Sequence, residues 1–191
     1  MSRLGLAIVL FLKRLFQAPR FQAEGRELFR RITTQARLPI FYANYGVPDT
    51  IDGRFEMLCL HAYALFRSLK GKGADAEALS QATYDAMFAD LDGSLRELGA
   101  ADIGVGKRIK AMTEALNGRI QAYDRDAELE RAIRRNVYRA ATPSDEQVRW
   151  MASYLRTIRS AMTRASFQSI CDGSATKALP EPAPEGSNAA R

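Results

Sequence analysis

Histidine occurs once, as His61, tryptophan once, as Trp150, and cysteine twice, as Cys59 and Cys171. Two cysteines exclude a disulfide scaffold and a zinc finger or ribbon, and a single histidine excludes a multi-histidine metal site. No Gly-x-Ser-x-Gly elbow is present to set a serine against His61. Cys59 and His61, two residues apart on a helix, project about 200° from one another and do not form a catalytic pair. The glycines of GAADIGVG at 99–106 suggest a phosphate loop, but no Gly-Lys-Ser/Thr follows and no strand precedes. Long apolar runs are also missing: no stretch reaches the roughly 18 residues of a membrane span. The expectation is a chain with no catalytic residue, no metal site and no cofactor of its own. His61 reads as a structural histidine, hydrogen-bonded to a neighbour. Asp49 with Asp52 reads as a helix start, and Asp90 with Asp92 as a solvated face.

What remains is 191 residues, 47% hydrophobic and 26% charged, enough for one domain with an apolar core. The net charge of +6 is carried by residues 1–37, where eight basic residues meet only Glu24 and Glu27. Residues 38–191 sum to zero, and within them 75–99 has six acids against Arg96 alone. A basic arm of this kind points to anionic lipid, to RNA, or to the acidic helix of the same molecule. The longest apolar run, LGLAIVLFL at 4–12, has its positive charges downstream and no small-residue cleavage site, so secretion is not expected. Continued to Phe16, it is apolar around most of a helix and belongs on a bilayer surface or docked on the domain. The membrane-contact candidates are Leu4, Ile8, Phe11, Leu12, Lys13, Arg14 and Leu15. The two cysteines read as free, buried thiols.

The periodicity is helical throughout. Helices are expected over about 21–37, ended by Pro39, and over 53–69, 75–98, 104–123, 126–139 and from about 144 to 170. A loop spans 39–52, with Asp49 and Asp52 as a reciprocal cap. Gly118 marks a close helix approach, and either Thr142 with Pro143 or Ser144 with Gln147 caps the last helix. Residues 172–191, rich in Pro, Ser, Ala and Gly with Leu179 as the one large apolar side chain, read as a disordered tail. The fold class is therefore all-α: a single-domain bundle of about six helices (21–171), with an extra apolar N-terminal helix (1–20) and that tail.

Two blocks are more specific than generic helix. In 41–63, FYANYGVPDTIDGRFEMLCLHAY, the telling residues are Gly46-Val47-Pro48-Asp49-Thr50, Asp52-Gly53-Arg54-Phe55 and His61. In 79–124 they are Gln81, Asp85, Met87-Phe88, Asp90, Asp92, Leu95-Arg96-Glu97, Asp102, Val105, Lys107, Met112, Gly118-Arg119 and Ala122-Tyr123. Over about 25–170 the chain resembles the ubiquinol–cytochrome c chaperone family, the complex III assembly factors of mitochondria and alpha-proteobacteria. It departs from the pattern at Leu116-Asn117, where an aromatic pair is expected. The short N-terminus is the bacterial pattern.

The resemblance implies an all-helical, non-enzymatic protein that binds newly made cytochrome b and supports assembly of ubiquinol–cytochrome c reductase. It further implies a small partner subunit or a homodimer, and a place in the cytoplasm, peripheral on the cytoplasmic face of the inner membrane. A ribosome- or RNA-associated role through the basic arm is the alternative, and no DNA partner is expected. The client-binding candidates are Gly46, Pro48, Asp49, Asp52, Arg54, His61, Asp102, Lys107 and Arg119. In this reading the 46–54 loop and the 99–107 turn frame an apolar groove with a polar rim.

Overall fold

The computed structural model describes residues 20–97 and 102–177, and every element in them is helical. Leu4, Ile8, Phe11, Leu12, Lys13, Arg14 and Leu15 of the expected N-terminal helix lie outside the described residues, as does the tail beyond 177. In chain order the elements are α1 (Gln22–Ala36), α2 (Pro39–Ala43), α3 (Ile51–Leu69), α4 (Ala74–Glu97), α5 (Asp102–Tyr123), a 3-10 turn (Asp126–Glu128), α6 (Leu129–Asn136), α7 (Asp145–Arg164), α8 (Phe167–Cys171) and α9 (Ser174–Lys177).

The centre of the bundle is α3. From Glu56 to Leu65 every residue is buried, so this helix is enclosed around its whole circumference, as an element apolar on all sides must be. Leu28 and Ile32 of α1, Leu116 and Tyr123 of α5, and Met151, Leu155 and Ile158 of α7 close around it, and Leu129 and Ile133 of α6 join the same core. The long helix α4 lies outside α1 and is held there by a close crossing. A Cβ on Gly25 would come within 2.6 Å of the Ala82 backbone, so only glycine lets the two helices meet.

Four local readings change. Pro39 does not merely end the first helix: it opens α2 as its first residue, where its missing N–H costs nothing. Gly118 is not at a crossing, since no atom of another helix lies within 4 Å of the place its Cβ would take; that role belongs to Gly25. The last long helix breaks at Ala165, whose extended backbone (ψ 143°) lets Ser166 start α8 by accepting from the Ser169 N–H at 3.1 Å. Finally, the packed chain continues past 171. Gly173 turns at φ +78°, where a Cβ would collide with Arg31, and the Thr176 hydroxyl donates to the Gly173 carbonyl at 2.7 Å inside the fold.

Candidate functional site

The block around Gly46–Arg54 folds as a tight entry into α3. Gly46 adopts φ +67°, and a side chain there would meet the Gln147 amide at 2.7 Å. The Tyr138 hydroxyl donates to the Tyr45 carbonyl at 2.8 Å and pins the turn to the far side of the bundle. The Pro48 carbonyl accepts from the Thr50 N–H at 2.9 Å and lies directly over Gly53, where a Cβ would sit 1.9 Å from the oxygen. The cap differs from the expected one. Thr50 takes the N-cap, its hydroxyl accepting from the Gly53 N–H at 3.1 Å, which frees Asp49 to accept from Arg54 Nε at 2.7 Å. That guanidinium holds the Asp49 carboxyl below its usual range. Asp52 stands exposed in the first turn of α3, where the helix dipole favours a carboxylate.

Beside this ion pair, Arg37, Pro39, Tyr42 and Ala43 join Asp49 and Arg54 around an open groove of about 600 Å³. Its wall is fixed by the Tyr42 hydroxyl, which donates to the Ala36 carbonyl at 2.8 Å. Ile51, two residues after Asp49 in the chain and not itself part of the groove lining, is 69% exposed, the one strongly exposed large hydrophobic side chain among the described residues. Gly46, Pro48, Asp49, Asp52 and Arg54 are thus brought together as one edge of the molecule.

The other candidates lie elsewhere. His61 is 2% exposed and cannot touch a docked protein in this structure, which corrects its place among the client contacts. Its Nδ1 lies 2.8 Å from the Met57 carbonyl, which can only accept, so Nδ1 carries the proton. Nε2 then accepts from the Tyr154 hydroxyl at 2.8 Å, and Gln35 donates to that hydroxyl at 3.4 Å. Burial drives the His61 pKa down to about 4. Phe41 packs edge-on against both rings, and Trp150 stacks between Tyr45 and Tyr154. Cys59 is a buried thiol raised well above its normal pKa, whereas Cys171 is only partly covered, contrary to the expected burial of both.

Arg119 is likewise turned inward. It donates to both oxygens of Glu56, a carboxylate only 5% exposed in the second turn of α3. Its role here is to neutralise that charge rather than to face solvent. Lys107 is exposed on the first half of α5. Asp102 is the first residue of α5, with its side chain outside the described residues, as are residues 98–101 of the expected groove-framing turn. Glu56 and Tyr154 were missed by sequence reasoning. The only available signal for Glu56 was an acid next to the apolar run Met57–Leu60.

A second groove, of about 380 Å³, opens between α3, α4 and α5. Phe66, Leu69, Tyr84 and Ile120 form its apolar walls, with Glu77, Gln81, Lys70 and the Arg67–Asp124 ion pair at its margin. The departure at Leu116-Asn117 falls here: Leu116 is buried and Asn117 lines the groove. Of the basic arm, Arg20 pairs with Asp75 at 2.9 Å and Arg30 and Arg31 with Glu27 at 2.7 Å. Three of its cations are therefore used within the molecule. No helix among the described residues is long and apolar enough to cross a membrane.

The model of a family described as ubiquinol–cytochrome C chaperone matches residues 43–177. Among solved structures, the crystal structure of the Cbp3 homolog from Brucella abortus is similar, with 31% sequence identity and a TM-score of 0.70 over 87% of this chain and 93% of that chain. No curated protein matches the chain.

Proposed function

The chain belongs to the ubiquinol–cytochrome c chaperone family, and on that premise we propose that it grips newly made cytochrome b during assembly of complex III and breaks no bonds itself. The observation that carries the choice of surface is Ile51. An isoleucine left 69% exposed at the start of α3, two residues along the chain from Asp49 of a groove walled by aromatic, proline and ion-paired side chains, supports a small hydrophobic anchor with a polar rim. The Pro48 carbonyl over Gly53 and the Tyr138–Tyr45 bond keep that edge rigid, so little ordering entropy is lost on docking. Asp49 and Arg54 supply register, since a helix of the client must present complementary groups to displace water from their paired charges.

A membrane-embedded client requires work at a bilayer. In this reading the basic, apolar segment 4–16 provides weak, reversible attachment to the cytoplasmic face of the inner membrane.

Removing the protein from its cell should lower assembled cytochrome b, read from the reduced-minus-oxidised haem spectrum, while its message stays constant. A normal spectrum in the deletion strain would sink the proposal. Full-length protein carrying Ile51→Asp should recover several-fold less cytochrome b from detergent-solubilised membranes. Unchanged recovery would move the client away from this edge.

A further inference from the structure

We propose that the exposed arginines around α6 form an electrostatic contact with the anionic phospholipid headgroups of a bilayer. Residues 38–191 are neutral overall, but the fold separates their charges. The exposed acids Glu77, Asp85 and Asp90 belong to α4, which packs on α1, α3 and α5, whereas α6 packs on α5 and α7. Between Lys110 and Lys177 every basic residue is an arginine, ten in all. Five of them, Arg125, Arg131, Arg134, Arg135 and Arg139, fall within 125–139, and all five are exposed.

Helix geometry explains that exposure. Leu129, Ala132, Ile133 and Asn136 are the buried side of α6, which leaves Arg131, Arg134 and Arg135 on its outer side with Glu130. Arg134 is engaged by Asp145 of α7, and Asp126 by Arg156 and Arg159. At Glu128 several cations meet one carboxylate. Arg131 pairs with it at 2.7 Å. The Glu128 pKa is held below its ordinary range, first by Arg131 and also by the nearby Arg125 and Arg135. Arg125, Arg135 and Arg139 make no ion pair among the described residues. Arg131 and Arg135 are four residues apart, a spacing at which like charges repel on a helix. An anion from outside relieves that repulsion.

The chemistry fits phosphate, since a guanidinium is always charged and donates two parallel hydrogen bonds to phosphate oxygens. Lipid and RNA both offer phosphate, and the geometry favours lipid. The arginines stand on the outside of a helix, and none of them lines either groove. Tyr138, the one aromatic residue in 125–139, is buried, so none of these residues offers a ring on which a base could stack. Tyr138 also ties this end of α6 to the turn into the Gly46–Arg54 edge, by donating to the Tyr45 carbonyl. Headgroup contact at α6 sets that edge close to the bilayer, where a membrane-embedded client is met; in this the inference rests on the proposed function. A basic patch is also the second contact that a weak apolar anchor needs for stable attachment.

The test floats full-length protein with vesicles of phosphatidylcholine, alone or with phosphatidylglycerol added. The native chain should bind the mixed vesicles at least about tenfold more tightly. Arg125→Gln, Arg131→Gln and Arg135→Gln together should remove most of that preference. Lys107→Gln, Arg108→Gln and Lys110→Gln remove the same charge from the exposed first half of α5 and should change it by less than about twofold. Urea midpoints check that each variant is folded. Should the α6 triple variant lower its midpoint, Arg135→Gln with Arg139→Gln, which breaks no ion pair, takes its place. No preference for the mixed vesicles, unchanged flotation of the α6 variant, or equal losses in both triple variants would each overturn the proposal. So would α6 substitutions that abolish binding to single-stranded RNA while flotation persists. The haem spectrum of the deletion strain tests the client reading separately, so failure of either is told apart from failure of the other.

Discussion

At the scale of single residues, His61 and Gly53 make the clearest demands. The imidazole is neutral in the folded state, with its pKa lowered from 6.5 to about 4 by burial. Between those values the unfolded chain takes up a proton that the folded chain refuses, so stability is complete above about pH 6.5 and is lost as the pH falls toward 4. The expected loss is about 3 kcal/mol. Urea midpoints at pH 7 and pH 4.5 should show it in the native protein, and His61→Phe should flatten the difference. Gly53→Ala should cost about 1–3 kcal/mol, because the Pro48 carbonyl must move to admit a methyl group. That His61 is structural was legible because Cys59, two residues away on a helix, projects to the other side and no serine elbow is present. That it is sealed by Tyr154 was not, since 93 residues separate the two and no local pattern links them.

At the scale of elements, the helices were readable and some of their ends were not. The stripes that mark α1, α3, α4 and α5 are repeated many times within each helix, so single exceptions do not hide them. Ends depend on one or two residues. The Ser144–Gln147 capping box, one of two caps the sequence offered, is the one formed, with both reciprocal bonds near 3 Å. Ser144→Ala should lower stability by about 1 kcal/mol, seen as a lower thermal midpoint. The break at Ala165 was hidden because the apolar spacing runs on to Ile170, which is buried in α8 all the same. Between elements, the Arg119–Glu56 pair joins α5 to α3. Arg119→Ala leaves a buried carboxylate without its partner and should cost about 3–5 kcal/mol. Replacing both, as Glu56→Met with Arg119→Met, should cost clearly less than the single change.

For the whole molecule, the bundle presents two grooves on different parts of its surface. If the basic, apolar segment 4–16 provides membrane attachment, flotation of the full-length protein with anionic liposomes should fall when Lys13 and Arg14 are replaced by Glu, and fall further in high salt. Flotation unchanged by either would remove the segment from membrane contact. Ile51→Asp should leave both flotation and the urea midpoint unaltered, within about 0.5 kcal/mol for an exposed site. A client defect caused by lost docking would then be separable from one caused by unfolding.

The amino-acid order alone determined that the protein is all-helical, where its main helices run, and which family it resembles, because hydrophobic spacing and short motifs are properties of neighbouring residues. It also placed Gly46, Pro48, Asp49, Asp52 and Arg54 together, since they adjoin along the chain. Only the tertiary structure decided that His61 and Arg119 face inward, that Gly25 rather than Gly118 lets two helices touch, and that Ile51 is left in water. Each of those outcomes depends on which distant surface packs against the residue, and packing between helices is settled by the fit of whole faces rather than by any local signal.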